Sequence, residues 1–435
     1  MPQCRAFYGP FLLLLIAVLC AAGVWTYANR VLIPYQTADA LLQDRPRGNL
    51  SDLYPRWLGA RELLLHGRDP YSPAVSREIQ QGYYGRALDP TRPGDPKDQQ
   101  GFAYPVYVAF ILAPTIHLRF EIVQKGFFYV LLGLTLASIP LWLRALRWPA
   151  PWWVQAGFIV FTLGSLPVMQ GLKLQQITLL VAALIAIAVV LLMSDHMVAA
   201  GVVLALATIK PQLVWLLLLW LMIWTWGDWR SRYRWAASFL ATMTVLVAAS
   251  EWFLPHWIPR FWQAFRDYES YTAGISVMHE LIGTPWSSAL EVLALAAVLQ
   301  KCWKERRPAA NTRTFSSITA LTLAATLLLV PTYAPYNQVL LIPAVLLLLH
   351  ERRLIWRRGP ADRVLFLTAA TLIFWPWISS VALGGLSFLL PLETVERGWA
   401  IPLWTALQIP LGVASLTLLH CYRGFFTVPA EPRTS

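Results

Sequence analysis

The sequence predicts an all-α protein that crosses a membrane many times, because of its hydrophobicity, its long apolar blocks and the placement of its basic residues. Of its 435 residues, 57% are hydrophobic and only 13% are charged, and the mean hydropathy is +0.51. These values lie far from the average of soluble proteins. A lipid bilayer is therefore the expected solvent.

The apolar residues stand in long blocks rather than in the short alternating runs of a transmembrane barrel. Such blocks predict helices, because a helix satisfies its own backbone amides and lipid offers them no partner. We expect a single integral-membrane domain over residues 1–435 with about twelve crossings. These are predicted near residues 7–28, 103–118, 127–147, 152–169, 176–193, 197–225, 235–254, 285–300, 315–333, 337–349, 363–383 and 399–421.

The basic residues indicate how the chain is oriented. The net charge is +12, and the Arg and Lys residues cluster at the ends of apolar blocks, at 230–234, 301–307 and 352–363. This placement is typical of positive-inside topology, whereas a nucleic-acid surface needs a continuous basic stripe on a soluble module. With these clusters in the cytoplasm, the polar loops at about 30–102 and 255–284 share the extracytoplasmic side of the cell membrane.

One segment leaves the topology open. The apolar stretch 197–226 is too long for one upright helix, and Lys210-Pro211 lies at its middle. Proline removes a backbone donor and restricts the residue before it, so we expect one tilted or broken helix there. Two short spans are the alternative, and they would reverse the orientation of everything before them.

Neither a metal nor another cofactor is expected. The four cysteines, at 4, 20, 302 and 421, have no short paired spacing, and the seven histidines are scattered. Such spacing supports neither a disulfide framework nor a metal site. The first apolar block has no clean small-x-small cleavage site, so it is interpreted as a retained helix rather than a signal peptide.

The first polar loop contains the pattern of an amphipathic helix. Apolar residues recur at 53, 57, 60 and 64, Ser51 can cap the N-terminus and Gly67 can end the helix. With Arg56, Arg61 and Glu62 on its polar face, the helix is predicted to lie along the membrane interface.

Asp52, in the first turn of that helix, has two interpretations. An acidic residue is stabilised at a helix N-terminus by the helix dipole. Alternatively, a carboxylate at the lipid–water boundary can act as a general base on a hydroxyl while a second substrate arrives through the membrane.

Four stretches, read in order, bear on this choice. They are DLY at 52–54 leading to HGRDPY at 66–71, FAYP at 102–105 with Ala113-Pro114, GVVLALATIKP at 201–211, and VPTYAPYNQ at 330–338. Together they resemble the polyprenyl-phosphate-sugar-dependent glycosyltransferases of family 87, which have the GT-C fold. The resemblance extends from about residue 50 to 350.

The resemblance implies an inverting transfer of a sugar, often mannose, from a polyprenyl-phosphate donor to a lipid or glycan acceptor on the extracytoplasmic face, in the biosynthesis of a cell-envelope glycan. It implies that Asp52 is the catalytic base, because direct displacement needs one base rather than a nucleophilic pair. Where some relatives carry a histidine near 331–338, this chain has Tyr336, Asn337 and Gln338.

Basic residues near the membrane are candidates for binding the donor phosphate. Lys210 stands among some thirty apolar residues, a costly position unless it is used; it could instead snorkel to the interface or cap carbonyls that Pro211 frees. Lys173 is the second candidate, although it could simply mark a loop.

Tyrosines and amides are candidates for binding the sugar, because ring faces stack on sugars and hydroxyls bond to them. Tyrosines also anchor helices at the membrane interface, which is the ordinary alternative. The candidate substrate-binding residues are Tyr54, Tyr71, Tyr104, Tyr336, Asn337 and Gln338.

Two other functions are compatible with the sequence. A transporter or flippase for lipid-linked sugars would bury several ionisable groups near the midplane, where only Lys210 is clearly deep. An O-antigen polymerase or ligase would use a late external loop rich in Arg and His, and the 255–284 loop is only moderately so.

Overall fold

The computed structural model describes residues 3–46, 50–89, 91–92, 94–96, 98–271, 276–330 and 334–423. The protein is 79% helical, and the described ranges contain no β-strand, as the sequence predicts. Pro331, Thr332 and Tyr333, part of the stretch VPTYAPYNQ on which the resemblance depends, lie outside the described residues.

The helices of the first half include the first membrane segment, the polar loop and the short helices that follow. They are α1 Gln3–Tyr27, α2 Ile33–Leu42, α3 Leu53–His66, α4 Pro73–Tyr84, α5 Val108–Leu112, α6 Phe120–Ala145, α7 Trp152–Leu163, α8 Leu166–Lys173, α9 Ile177–Met193, α10 Met197–Ala207 and α11 Pro211–Trp226.

The second half continues in the same way. Its helices are α12 Trp229–Phe253, α13 Trp257–Tyr271, α14 Val277–Ile282, α15 Trp286–Lys304, α16 Arg313–Leu329, α17 Ile342–His350, α18 Arg352–Arg358, α19 Pro360–Leu386, α20 Leu392–Glu396, α21 Ile401–Thr405 and α22 Ile409–Arg423. A π-helix, Ala28–Leu32, joins α1 to α2, and 3-10 helices occupy Ala113–Thr115, Pro335–Leu341 and Ala406–Gln408.

Long apolar helices number five in the described part of the chain. They are Phe11–Leu42, Phe120–Ala145, Trp229–Phe253, Pro360–Leu386 and Leu392–Arg423, and the bent pair α7–α8 would make a sixth. The expected twelve crossings are not confirmed. Five shorter apolar helical segments account for further predicted blocks: Ile177–Met193, Met197–Ala207, Pro211–Trp226, Arg313–Leu329 and Pro335–His350.

The predicted crossing at 103–118 is wrong. Only α5 and the 3-10 turn Ala113–Thr115 form there, far too short to cross a hydrocarbon core of about 30 Å. Two prolines in this stretch, Pro105 and Pro114, lack the backbone donor that a continuous helix needs.

The break predicted at Lys210-Pro211 is confirmed. Helix α10 ends at Ala207 and α11 begins at Pro211, where the missing N–H of proline at the first helical position costs nothing. The three residues between the helices, including Lys210, turn inward instead of continuing a helix.

Helix α3 lies where the first loop predicts a helix. Ser51 Oγ accepts a hydrogen bond from the Leu53 amide at 3.1 Å, and Gly67 ends the helix with a φ of +62° that a residue without Cβ adopts freely. The predicted division into an apolar and a solvated face is wrong for Glu62, which is 6% exposed and paired with Arg68 at 2.7 Å. The location of α3 at a membrane interface stays a prediction.

The centre of the molecule is built from the short apolar helices. Helices α9 and α16 are buried along most of their length and α11 along half of it, and Trp220 and Trp224 are essentially inaccessible. In four of the five long helices, by contrast, only 11–33% of the most apolar window is buried. Lipid is the medium that can cover such surfaces.

Candidate active site

A cavity of ≈ 130 Å³ lies where the inward turn between α10 and α11 meets the two polar loops. Its walls come from α3, the segment before α5, the α10–α11 turn, α13 and the start of the 3-10 helix Pro335–Leu341. The lining residues are Arg56, Ala103, Tyr104, Pro105, Ile209, Lys210, Pro211, Gln212, Phe261, Phe265, Tyr268, Ala334, Tyr336 and Asn337.

The two polar loops meet beside this cavity. Arg260 of α13 donates to the Asp69 carboxylate of the first loop at 2.8 Å, and α13 directs Phe261, Phe265 and Tyr268 at the cavity. The sequence predicts that loops 30–102 and 255–284 lie on one side of the membrane, and their direct contact agrees with this.

Two cations of the cavity lie near one aromatic ring. The Arg56 guanidinium is 4.5 Å from the Tyr104 ring centroid, and Lys210 Nζ is 6.0 Å from the same centroid and 5.1 Å from that of Tyr336. Among the described residues, no carboxylate forms an ion pair with either cation. A buried positive charge without an acidic partner is costly, so the cavity is suited to an anionic ligand.

Neutral groups hold Lys210 in place. The residue is 6% exposed, and its Nζ donates to Thr178 Oγ1 at 2.7 Å and to Gln176 Oε1 at 3.2 Å. Thr178 donates in turn to Asn337 Oδ1 at 3.0 Å. Snorkelling of Lys210 to the interface does not fit, because the ammonium is buried and bonds to side chains inside the protein.

The Asp52 carboxylate connects to this network on the other side of Gln176. Its Oδ1 accepts from the Tyr83 hydroxyl at 3.2 Å, and its Oδ2 accepts from Gln176 Nε2. The carboxylate makes no hydrogen bond to the amides of its own helix, which Ser51 caps instead. Asp52 is half-buried and is not part of the cavity wall itself.

A second carboxyl lies near Asp52. Burial raises the pKa of Asp98, and the charge of Asp52 acts in the same direction. Asp98 belongs to the Pro-rich stretch 89–100, in which the sequence predicts a loop without chemistry. Its oxygens accept from the backbone and side-chain amides of Gln100 at 3.0 and 2.7 Å.

Five of the predicted site residues come together: Asp52, Lys210, Tyr104, Tyr336 and Asn337. Four others do not line the cavity, and their predicted substrate roles stay predictions. Lys173 donates to Gln36, Tyr54 packs edge-on against Phe120, Tyr71 donates to the Tyr104 carbonyl at 2.6 Å, and Gln338 donates to the Ala406 carbonyl at 2.7 Å.

Three other residues of the site, Arg56, Gln176 and Tyr83, are not predicted from the sequence. Helical periodicity places Arg56 on a solvated face, whereas the structure turns it into the cavity. Tyr83 carries no sequence signal, because a tyrosine in a helix is ordinary. The Gln175-Gln176 pair directly precedes the apolar helix α9. It is the one sequence feature that indicates polar side chains at this part of the site.

Fold and site together define a class: an integral membrane protein whose short central helices enclose a cationic, aromatic cavity with a carboxylate beside it. The model of glycosyltransferase family 87 matches residues 102–331, more than half of the chain, and the chain belongs to that family. It is therefore a glycosyltransferase. The match begins after α3, so Asp52 and Arg56 lie outside it. Searches of curated proteins and of solved structures returned no match.

Proposed function

We propose that the protein transfers a sugar, mannose, from a polyprenyl-phosphate-linked donor to a lipid or glycan acceptor on the extracytoplasmic face of the cell membrane, with inversion at the anomeric carbon. One observation supports the proposal beyond the family. Two cations that form no ion pair with any described carboxylate line the cavity, and one of them, Lys210, is linked to the Asp52 carboxylate through the side chain of Gln176. A phosphate-linked sugar and a base that deprotonates its acceptor are the reactants that such a site suits.

The proposed reaction is a single displacement. Asp52 takes the proton of the acceptor hydroxyl, the hydroxyl oxygen attacks the anomeric carbon, and the bond from that carbon to the donor phosphate oxygen breaks. The polyprenyl phosphate leaves with one additional negative charge. Arg56 and Lys210 stabilise that charge, since preorganised cations lower the barrier most where charge develops.

The aromatic residues of the cavity support a sugar as the transferred group. Tyr104 offers a ring near both cations and Tyr336 offers one near Lys210, and a ring face packs on the apolar face of a hexose. Helix α13 contributes a further wall, made of Phe261, Phe265 and Tyr268. We assign this wall to the acceptor, because α13 belongs to the second polar loop and the donor phosphate is assigned to Lys210 and Arg56.

In vitro transfer from polyprenyl-phosphate-mannose to candidate acceptor lipids and glycans tests the proposal, comparing wild type with Asp52→Asn. We expect transfer by the wild type and loss of turnover of roughly 10²–10⁴-fold in the variant, the usual contribution of a general base. Unchanged turnover in Asp52→Asn would remove Asp52 as the base. No transfer from any polyprenyl-linked sugar would overturn the donor class.

A further inference from the structure

Gln176 lies between the two charged groups of the proposed reaction. Its Nε2 donates to Asp52 Oδ2 and its Oε1 accepts from Lys210 Nζ at 3.2 Å. The side chain is 2% exposed, at the start of the buried helix α9. A single amide thus spans the distance from the base to a cation of the cavity.

The orientation of this amide follows from chemistry rather than from the assignment of its oxygen and nitrogen. An ammonium has three donors and no acceptor, so only Oε1 can face Lys210. The NH₂ group must then face Asp52, whose Oδ2 accepts from it. Reversing the amide would set donor against donor and acceptor against acceptor, at both ends.

The same ammonium orients the hydrogen bonds toward the cavity. Lys210 Nζ donates to Thr178 Oγ1 at 2.7 Å, so the hydroxyl proton of Thr178 is free for Asn337 Oδ1, at 3.0 Å. With its oxygen occupied, Asn337 offers its NH₂ group to whatever fills the cavity, whose wall it forms. A donor group there suits a phosphate or a sugar hydroxyl.

We infer that Gln176 is a positioning residue for sugar transfer: with its polarity set by Lys210, it hydrogen-bonds to the Asp52 carboxylate and orients that carboxylate toward the acceptor hydroxyl. This inference rests on the proposed function. It also gives Lys210 a second effect, since the cation acts on the base through the amide as well as on the donor phosphate directly.

The carboxylate also faces other charges, which the test must keep constant. Arg56 belongs to α3, which Asp52 directly precedes, Asp98 approaches from the loop after α4, and Lys173 and Lys210 approach from the C-terminal ends of α8 and α10. Tyrosine hydroxyls from α4, α13 and the 3-10 helix Pro335–Leu341 complete the surroundings. Gln176 is neutral, so replacing it by leucine leaves every one of these charges in place.

The test measures kcat/KM against pH for detergent-purified wild type and Gln176→Leu. Removing a donor favours the protonated form of a carboxyl group, so the acid limb should move to higher pH by about one unit, with kcat reduced more than the donor KM is raised. Gln175→Leu is the matched control. Gln175 is similarly buried in the same turn, but it bonds to Gln124 and to backbone carbonyls. The acid limb of Gln175→Leu should therefore match that of the wild type.

A double-mutant comparison tests the link itself. Lys210→Met should move the acid limb in the same direction as Gln176→Leu, and the double variant should move it no further, because coupled residues are non-additive. Additive shifts, or an acid limb in Gln176→Leu that matches that of Gln175→Leu, would overturn the inference while leaving sugar transfer intact. Absence of transfer by the wild type would instead overturn the proposed function.

Discussion

Arg56 and Lys210 approach the same tyrosine ring from different elements, and neither has a carboxylate partner in the described residues. Two like charges in one small cavity repel each other, and the repulsion strengthens as water is excluded. An anionic ligand removes both penalties at once. The cavity therefore favours binding of a phosphate group over binding of a neutral glycan.

Replacing Arg56 by glutamine should raise the donor KM roughly 10–100-fold, since a hydrogen bond to a charged group contributes about 1.5–3 kcal/mol. Turnover should also fall, because the same guanidinium is assigned to the departing phosphate. Steady-state kinetics with a polyprenyl-phosphate sugar measure both quantities.

Arg61→Gln provides the control for this change. Arg61 lies on the same helix and stacks on Trp57 at 5.5 Å, outside the cavity, so the variant removes an equal charge without touching the site. Equal KM values for the two variants would show that Arg56 acts only through net charge.

Helix packing shows how closely the elements around the site are fitted. A Cβ at Gly201 of α10 would overlap the Trp235 carbonyl and Ser238 of α12, and Ser238 Oγ donates to the Val198 carbonyl at 2.9 Å. The two helices are held at the distance that glycine permits. Since α10 leads directly into the turn bearing Lys210, this packing also fixes the position of that residue.

Gly201→Ala should therefore destabilise the protein by about 1–3 kcal/mol, the usual cost of overpacking, and lower Tm in detergent. Gly133→Ala in α6 is the control, because nothing lies within 4 Å of its added Cβ. That variant should be neutral or gain up to about 1 kcal/mol from the better helix propensity of alanine. A Gly201→Ala protein as stable as Gly133→Ala would contradict the packing.

An ion pair closes the loop between α4 and α5 and makes it sensitive to pH. Arg86 binds both oxygens of the Asp95 carboxylate, one of them at 2.9 Å, and holds the pKa of Asp95 at about 2, below its ordinary 3.8. A carboxyl whose pKa is lowered on folding stabilises the fold fully above its unfolded pKa. That stabilisation is lost as the pH falls from about 4 towards 2.

Hydrogen exchange of the Asp89 amide, which donates to Asp95 Oδ2 at 2.9 Å, can follow this loss. Asp95→Asn should exchange faster than wild type at pH 6, and the two should converge near pH 2. Asp44→Asn is the control: the Asp44 carboxylate also lies 3.7 Å from Arg86, but its side chain is 81% exposed, so water screens the pair and the variant should match wild type throughout. A difference between Asp95→Asn and wild type that persists at pH 2 would exclude the ion pair as its cause.

At the scale of the whole molecule, the site depends on parts of the chain that lie far apart in sequence. The family match runs from the segment before α5 past the end of α16 and includes Lys210 and Gln176. The proposed base, Asp52, comes from α3, ahead of the match. Packing of α3 against Phe102 and Phe120 joins the two parts.

Much of the fold follows from hydrophobic block length, which the sequence displays directly. The break at Pro211 and the end of α3 at Gly67 are predictable, because proline and glycine act locally. The segment 103–118 is apolar enough to be predicted as a crossing, but two prolines interrupt it, and hydropathy does not register them.

The site is less predictable than the fold. Lys210 can be recognised from the sequence because a lysine among apolar residues is energetically unfavourable. Arg56 and Gln176 can be recognised as site residues only once the fold brings distant segments together. Periodicity alone places Arg56 in water. No local sequence pattern indicates that the turn after α10 lies against α3 and α9.

The role of Asp52 as the catalytic base is tested most directly by measuring donor affinity and turnover together in Asp52→Asn. Asp98→Asn is the control, because it changes a neighbouring carboxyl group. The donor should bind Asp52→Asn as tightly as wild type, because Arg56 and Lys210 remain, while sugar transfer falls at least about 100-fold. Asp98→Asn should retain transfer. Full transfer by Asp52→Asn, or loss of transfer in Asp98→Asn alone, would exclude Asp52 as the base.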